Sequence, residues 1–262
     1  MVSKELEDAF CALQLDTEEI VIETVQMLKD DYDATMRAVL DIIALWWLHN
    51  DIKNLTDAQN HMPELMSELN GVIDPANEQY VEGMTELFAQ VFEFNYDYAK
   101  GALHVEEEAE ENPLFLFTML GLATLAWTED KVTYQERMAL RKEQLKEEIR
   151  LIILRGATMG YSTKRTMEMV RKEMGKSKYR GVQMMIDESN HFANEAVRQL
   201  GKEFFDGYEI SEVLDMLTCD HCRGMHGKRY EWDEYEIGLT APKFHNSCRG
   251  RIIPIEKSQS DQ

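Results

Sequence analysis

The chain has 262 residues, 28 Lys and Arg against 49 Asp and Glu, a formal net charge of −21, and 44% hydrophobic residues. That length is ample for a buried core, and the apolar content is too high for a disordered polyelectrolyte. Five prolines exclude a collagen-like repeat, four cysteines are too sparse for a disulfide scaffold, and the total charge argues against a surface coated in phosphate contacts.

The total conceals segregation. Residues 1–130 hold 5 basic and 28 acidic side chains, net −23, whereas 131–202 hold 16 basic and 9 acidic, net +7. Residues 203–218 add −5, and 219–262 balance at seven of each sign. Three regions are expected on this basis: an acidic helical region over 1–130, a basic helical region over 131–206, and a C-terminal module over 207–262.

Taken in order, Met1-Val-Ser-Lys-Glu-Leu-Glu-Asp lacks the basic and apolar segments of a leader, so a cytosolic protein is expected. Asp16-Thr-Glu-Glu19 offers a cap for a helix running toward Lys29. Met36, Val39, Leu40, Ile43, Trp46 and Trp47 recur at helical spacing and form one apolar face. Thr56-Asp-Ala-Gln59 reads as a capping box for a helix bearing Met62, Leu65, Met66 and Leu69 and stopping at Gly71. Asp74-Pro75 then predicts a fresh helix start, followed by Tyr80, Met84, Leu87, Val91 and Phe94. The first 100 residues are therefore expected to form a helical bundle.

The acidic stretch 106–111 reads as a solvated linker or helix face. The apolar run 113–127 spans fifteen uncharged residues, short of the roughly 20 needed to cross a bilayer, and reads as a buried helix. Thr133-Tyr-Gln-Glu136 is a further capping box, opening a helix with Met138, Leu145, Ile149 and Ile152 inward until Gly156. A helix near 163–174 closed by Gly175 and another from about Gly181 follow, the latter with Val182, Met185, Ile186, Ser189, Ala193, Ala196, Val197 and Leu200 on one face. No alternating strand pattern is found before about residue 225.

The strongest chemical signal is Cys219-Asp-His-Cys222 with His245-Asn-Ser-Cys248. Each pair has two intervening residues, and the 22-residue excursion between them is long enough to fold back and complete a tetrahedron. Three thiolates and an imidazole suit Zn²⁺, and four protein ligands leave no open position, which makes the expected role structural. His221 and His226 are spare candidates for the imidazole, and disulfide pairing or unrelated buried thiols are the competing readings. Cys11 stands alone and reads as a core thiol. Around the site Arg223, Lys228, Arg229, Arg249 and Arg251 alternate with Tyr230, Trp232 and Phe244, but Asp220, Glu231, Asp233, Glu234 and Glu236 offset them, so internal ion pairs are expected. Gly175-Lys176-Ser177 lacks the first glycine of a phosphate loop, and the adjacent Asp187-Glu188 diverge on a helix and make a poor acid/base pair.

From residue 156 onward the order of features resembles the phage head morphogenesis family, the Mu F-like minor capsid proteins. The resemblance is carried by Gly160-Tyr-Ser162, Asp187-Glu188-Ser189-Asn190 with Asn194-Glu-Ala196, Cys219-Asp-His-Cys222, Met225-His-Gly227-Lys-Arg-Tyr230, and Pro242-Lys-Phe-His245-Asn-Ser-Cys248-Arg249 followed by Ile253-Pro254. Two positions depart from the family pattern: Asp187 stands where a Thr is common, and Gly250 where a second Cys often follows.

The resemblance implies a low-copy minor head protein of a tailed bacteriophage near the portal vertex, assisting head assembly, DNA packaging or DNA delivery, and no enzyme. Its implied partners are the portal protein, other head or scaffolding proteins and further copies of itself, with no stable membrane insertion. Its implied place is the virion, and the host cytoplasm during assembly. With fourteen residues after Cys248, the toxin domain some members carry is not expected. The fold expected overall is mostly α, a helical bundle followed by a small zinc-stapled α+β module. Two other functions compete: a packaged DNA-binding protein using the basic 131–202 helices, and a zinc-finger-type nuclease needing His221 or His226 free of metal.

Overall fold

A computed structural model describes residues 2–105, 126–128 and 131–256. The acidic stretch 106–111 and nearly all of the apolar helix expected over 113–127 lie outside the described residues. The described chain is mostly helical, with four long helices, α1 (Lys4–His49), α2 (Leu55–Ala102), α3 (Tyr134–Thr158) and α4 (Thr163–Phe204). A small mixed region follows: β1 (Gly207–Ser211), α5 (Asp220–Met225), β2 (Arg229–Glu231) and β3 (Arg251–Ile255). No described helix is long and apolar enough to cross a membrane.

The helices are fewer and longer than the local signals predict. Asp16, expected to cap a fresh helix, lies inside α1, where the neighbouring Thr17 hydroxyl donates to the Leu13 carbonyl at 2.7 Å. Gly71 and Pro75, read as a stop and a start, fall inside α2 together with Pro63. Both prolines are exposed, while Leu65, Leu69 and Ile73 remain buried on one continuous stripe, so packing of that stripe carries the helix past the lost hydrogen bonds. The cap of α2 also shifts. The Asn54 side chain accepts from Asp57 N at 3.0 Å, and Asp57 reaches back to Lys53 N at 3.1 Å.

The cap predicted for α3 is present, with Thr133 Oγ1 accepting from Glu136 N at 3.2 Å and Glu136 Oε2 accepting from Thr133 N at 2.8 Å. α3 ends in a left-handed Gly160 (φ 62°), with Tyr161 N donating to Gly156 O at 2.8 Å and Gly160 N to Ala157 O at 3.4 Å. This is the Schellman arrangement, and Ser162 then caps α4 by accepting from Arg165 N. The Gly160-Tyr-Ser162 signature is thus a stop and a start in three residues.

The described chain divides into two compact units. One comprises Val25–Met84 and Thr128–Val182 and is helical, with Val39, Ile43, Trp46, Leu65, Leu69, Ile149, Ile153 and Val170 buried in its core. The other comprises Met1–Thr24, Thr85–Trp127 and Gln183–Gln262. It contains the three-stranded antiparallel sheet, ordered β2-β1-β3 with β1 central. β1 is a strand that the alternation test misses, because it is five residues long and lies in the sheet centre with both faces covered. Tyr208 and Ile210 join Phe10, Leu13, Val197, Leu200 and Ile252 in the core of this unit. Pro254 lies in the edge strand β3, where a missing N–H is tolerated.

Candidate metal centre

Cys219 is the N-cap of the six-residue α5, in extended backbone (φ −68°, ψ 162°), and its sulfur accepts from Cys222 N at 3.4 Å. A cysteine at the cap and another at the third helical position direct both sulfurs to one side. Across from them, Cys248 N donates to His245 O, closing the 245–248 turn. His245 Nε2 stands 3.3 Å from Cys219 Sγ and 3.1 Å from Cys222 Sγ, and Cys222 Sγ is 3.8 Å from Cys248 Sγ. Zn–S bonds of about 2.3 Å at tetrahedral angles separate neighbouring sulfurs by about 3.8 Å, the separation found between Cys222 and Cys248. His245 Nδ1 lies 2.8 Å from the Asn246 carbonyl. A carbonyl only accepts, so Nδ1 carries the proton and the Nε2 lone pair faces the thiols.

The four predicted residues do not form one mutually close set. Cys219, Cys222 and His245 make one group within reach of an ion; Cys222 and Cys248 make a second with Glu212. Cys222 belongs to both. Glu212 gave no sequence signal, being one acidic residue just after a strand. Burial raises its carboxyl pKa, and its Oε1 has no hydrogen-bond partner. Gly250 accounts for the space it occupies, since a Cβ there would lie 2.5 Å from Glu212 Oε1. Burial likewise raises the Cys222 and Cys248 thiols, while the Cys222 amide lowers that of the exposed Cys219.

The spare histidines are engaged elsewhere. His226 Nδ1 accepts from Glu212 N at 3.1 Å while its Nε2 is 3.4 Å from Glu7. His221 packs edge-on against Phe244, with ring centroids 5.2 Å apart. Cys11 is half-buried and far from the cluster in sequence, joining none of these groups.

The 245–252 segment is held by α4 through polar side chains. Asn190 Nδ2 donates to Cys248 O at 2.6 Å; Asn194 Nδ2 donates to Gly250 O at 3.0 Å while its Oδ1 accepts from Ile252 N at 3.1 Å. Asp187 accepts from Ser247 N at 2.7 Å and pairs with Lys243 at 2.7 Å, whereas Glu188 accepts from the Trp127 indole at 2.6 Å. The two adjacent carboxylates therefore serve different partners, as their divergence on a helix predicts. Arg249 pairs with Asp215 at 2.6 Å and holds that carboxyl down to about 2. Arg251 is wholly buried and donates to Asn190 O. Desolvation lowers its pKa to about 10, so it stays charged at neutral pH.

Many cations of 131–202 pair with carboxylates: Arg150 with Glu147, Arg171 with Glu168, Lys176 with Glu173, Arg198 with Glu195, Lys178 with Asp33, and Lys142 and Lys146 with Asp74. Each pairing reduces the charge left for phosphates. No curated protein and no solved structure matches the chain. The sequence model of the family described as Phage Mu protein F like protein matches residues 147–253, a span that contains the α4 clamp, most of the sheet and every donor of the cysteine–histidine cluster. Over those residues the chain is similar to the phage Mu protein F-like family.

Proposed function

We propose that the protein is a minor head protein of a tailed bacteriophage, a structural and assembly factor placed in the virion near the portal vertex. The carrying observation is the family match over 147–253, supported by the finding that its signature residues are engaged in holding the chain together. Asn190, Asn194 and Asp187 bind backbone groups or another side chain, and none is left aimed at a substrate. The reading is accordingly of a scaffold with no enzymatic activity, whose partners are the portal protein, other head or scaffolding proteins and further copies of itself. The acidic 1–130, basic 131–206 and C-terminal 207–262 regions are proposed to meet different partners, with any genome contact falling in 131–202.

Cys219, Cys222, His245 and Cys248 are proposed to hold a structural Zn²⁺, with Glu212 as the neighbouring carboxylate. The bound ion supplies a cross-link between the start of α5 and the 245–248 turn, contributing folding free energy to a region with a small core. Composition of gradient-purified procapsids and virions tests the head assignment. The protein is expected in procapsids before DNA enters and co-purifying with portal; absence from both particles would defeat the reading.

A further inference from the structure

The helical unit holds a partly open cavity of about 240 Å³ that the head-protein reading does not use. Leu28, Ile73, Met138, Leu145 and Met174 supply apolar wall. Tyr32 and Tyr80 also line it, their rings edge to face at 6.5 Å; the Tyr80 hydroxyl is buried without a hydrogen-bond partner, while that of Tyr32 meets the Ser177 side chain. Desolvation raises both phenols, Tyr32 to about 12, so both remain protonated donors.

Arg141 completes the polar end. One of its nitrogens donates to the Arg180 carbonyl at 2.9 Å, and among the described residues no carboxylate pairs with it. The other wall cations are occupied, Lys142 by Asp74 and Lys178 by Asp33. Asp31, the one acidic wall residue, is exposed. A buried O–H without an acceptor and a half-buried guanidinium without a counterion each disfavour the empty state. Both are relieved by a ligand bringing acceptors, and the planar fork of a guanidinium best matches a carboxylate.

We propose that this cavity binds a small hydrophobic carboxylate, its acid group on Arg141 and Tyr80 and its apolar body against the Leu28, Ile73 and Leu145 wall. The size fits: a dry cavity of about 150 Å³ accommodates benzene, so this one takes a ring or an eight-carbon chain with a carboxylate.

Titration calorimetry of the full chain with octanoate, octan-1-ol and acetate tests it. Octanoate should bind at least tenfold tighter than octan-1-ol, with acetate giving no heat. Arg141→Gln should reduce octanoate to the level of octan-1-ol. Tyr80→Phe should weaken octanoate several-fold without lowering the thermal midpoint, because it deletes a hydroxyl that has no partner. No octanoate binding, equal binding of octan-1-ol, or octanoate binding unaffected by both substitutions would overturn the proposal.

Discussion

The two ends of α4 bury their residues by different chemistry. In the helical unit, Val170 and Met174 lie on one face of the helix while the intervening Arg171 and Lys172 are exposed. In the sheet-bearing unit, every residue from 187 to 197 is buried, including Asp187, Glu188, Asn190, His191, Asn194 and Glu195. An amphipathic stripe meets one apolar neighbour, whereas all-round burial requires each polar group to find a specific partner. The first stretch should tolerate conservative apolar changes; the second should not tolerate loss of a donor or acceptor.

The largest expected effect is Asn194→Ala. It leaves Gly250 O and Ile252 N buried and unpaired, at about 1–3 kcal/mol each, and should lower the denaturant midpoint of the intact chain by several kcal/mol equivalent. A loss under 1 kcal/mol would mean that these bonds are replaceable and the contrast between the two ends is superficial. Gly201→Ala comes next. A Cβ there would lie 2.5 Å from the Trp232 ring and 2.9 Å from Pro254, and overpacking of this kind costs about 1–3 kcal/mol. Thermal denaturation would register it.

Acid should separate the two ends further. Burial against Trp127 and Phe192 holds His191 neutral, with its pKa lowered from 6.5 to about 3. Between those values the unfolded chain binds a proton that the folded chain does not. Stability therefore falls as pH drops from 6.5 toward 3, by up to about 1.4 kcal/mol per pH unit for one such group. Asp215 adds a lower window, its contribution present above the ordinary carboxylate range and lost as pH falls toward about 2. His191→Phe should flatten the upper part of a stability-against-pH curve; an unchanged slope would contradict the assignment. The smallest effect belongs to the helical unit: Gly71 is exposed within α2 with open space around it, so Gly71→Ala should stabilise by about 0.5–1 kcal/mol in the same melts.

The apolar faces around Val39–Trp47, Leu65–Leu69 and Leu145–Ile149 were legible because periodicity reports burial directly. Thr133-Tyr-Gln-Glu136 was legible because its capping bonds span only three residues. The helix ends at Gly71 and Pro75 were misread, since local propensity loses to a continuous buried stripe. β1 escaped because five residues between covered neighbours show too little alternation. At the candidate centre the paired spacing of Cys219, Cys222, His245 and Cys248 was visible, and all four residues lie in its two overlapping groups. Glu212 and the clasp by Asn190 and Asn194 were not readable as such, because their partners lie 10 to 61 residues away and a buried amide carries no periodic mark.

Specific polar contacts and the proposed zinc donors, more than apolar area, are expected to hold the C-terminal module. Zinc stoichiometry of the intact purified chain, with and without Cys222→Ser, tests this most directly, because Cys222 is shared by both donor groups. One zinc per chain is expected, lost in the variant together with a fall in melting temperature. A chain free of zinc, with Cys222→Ser melting unchanged, would contradict it.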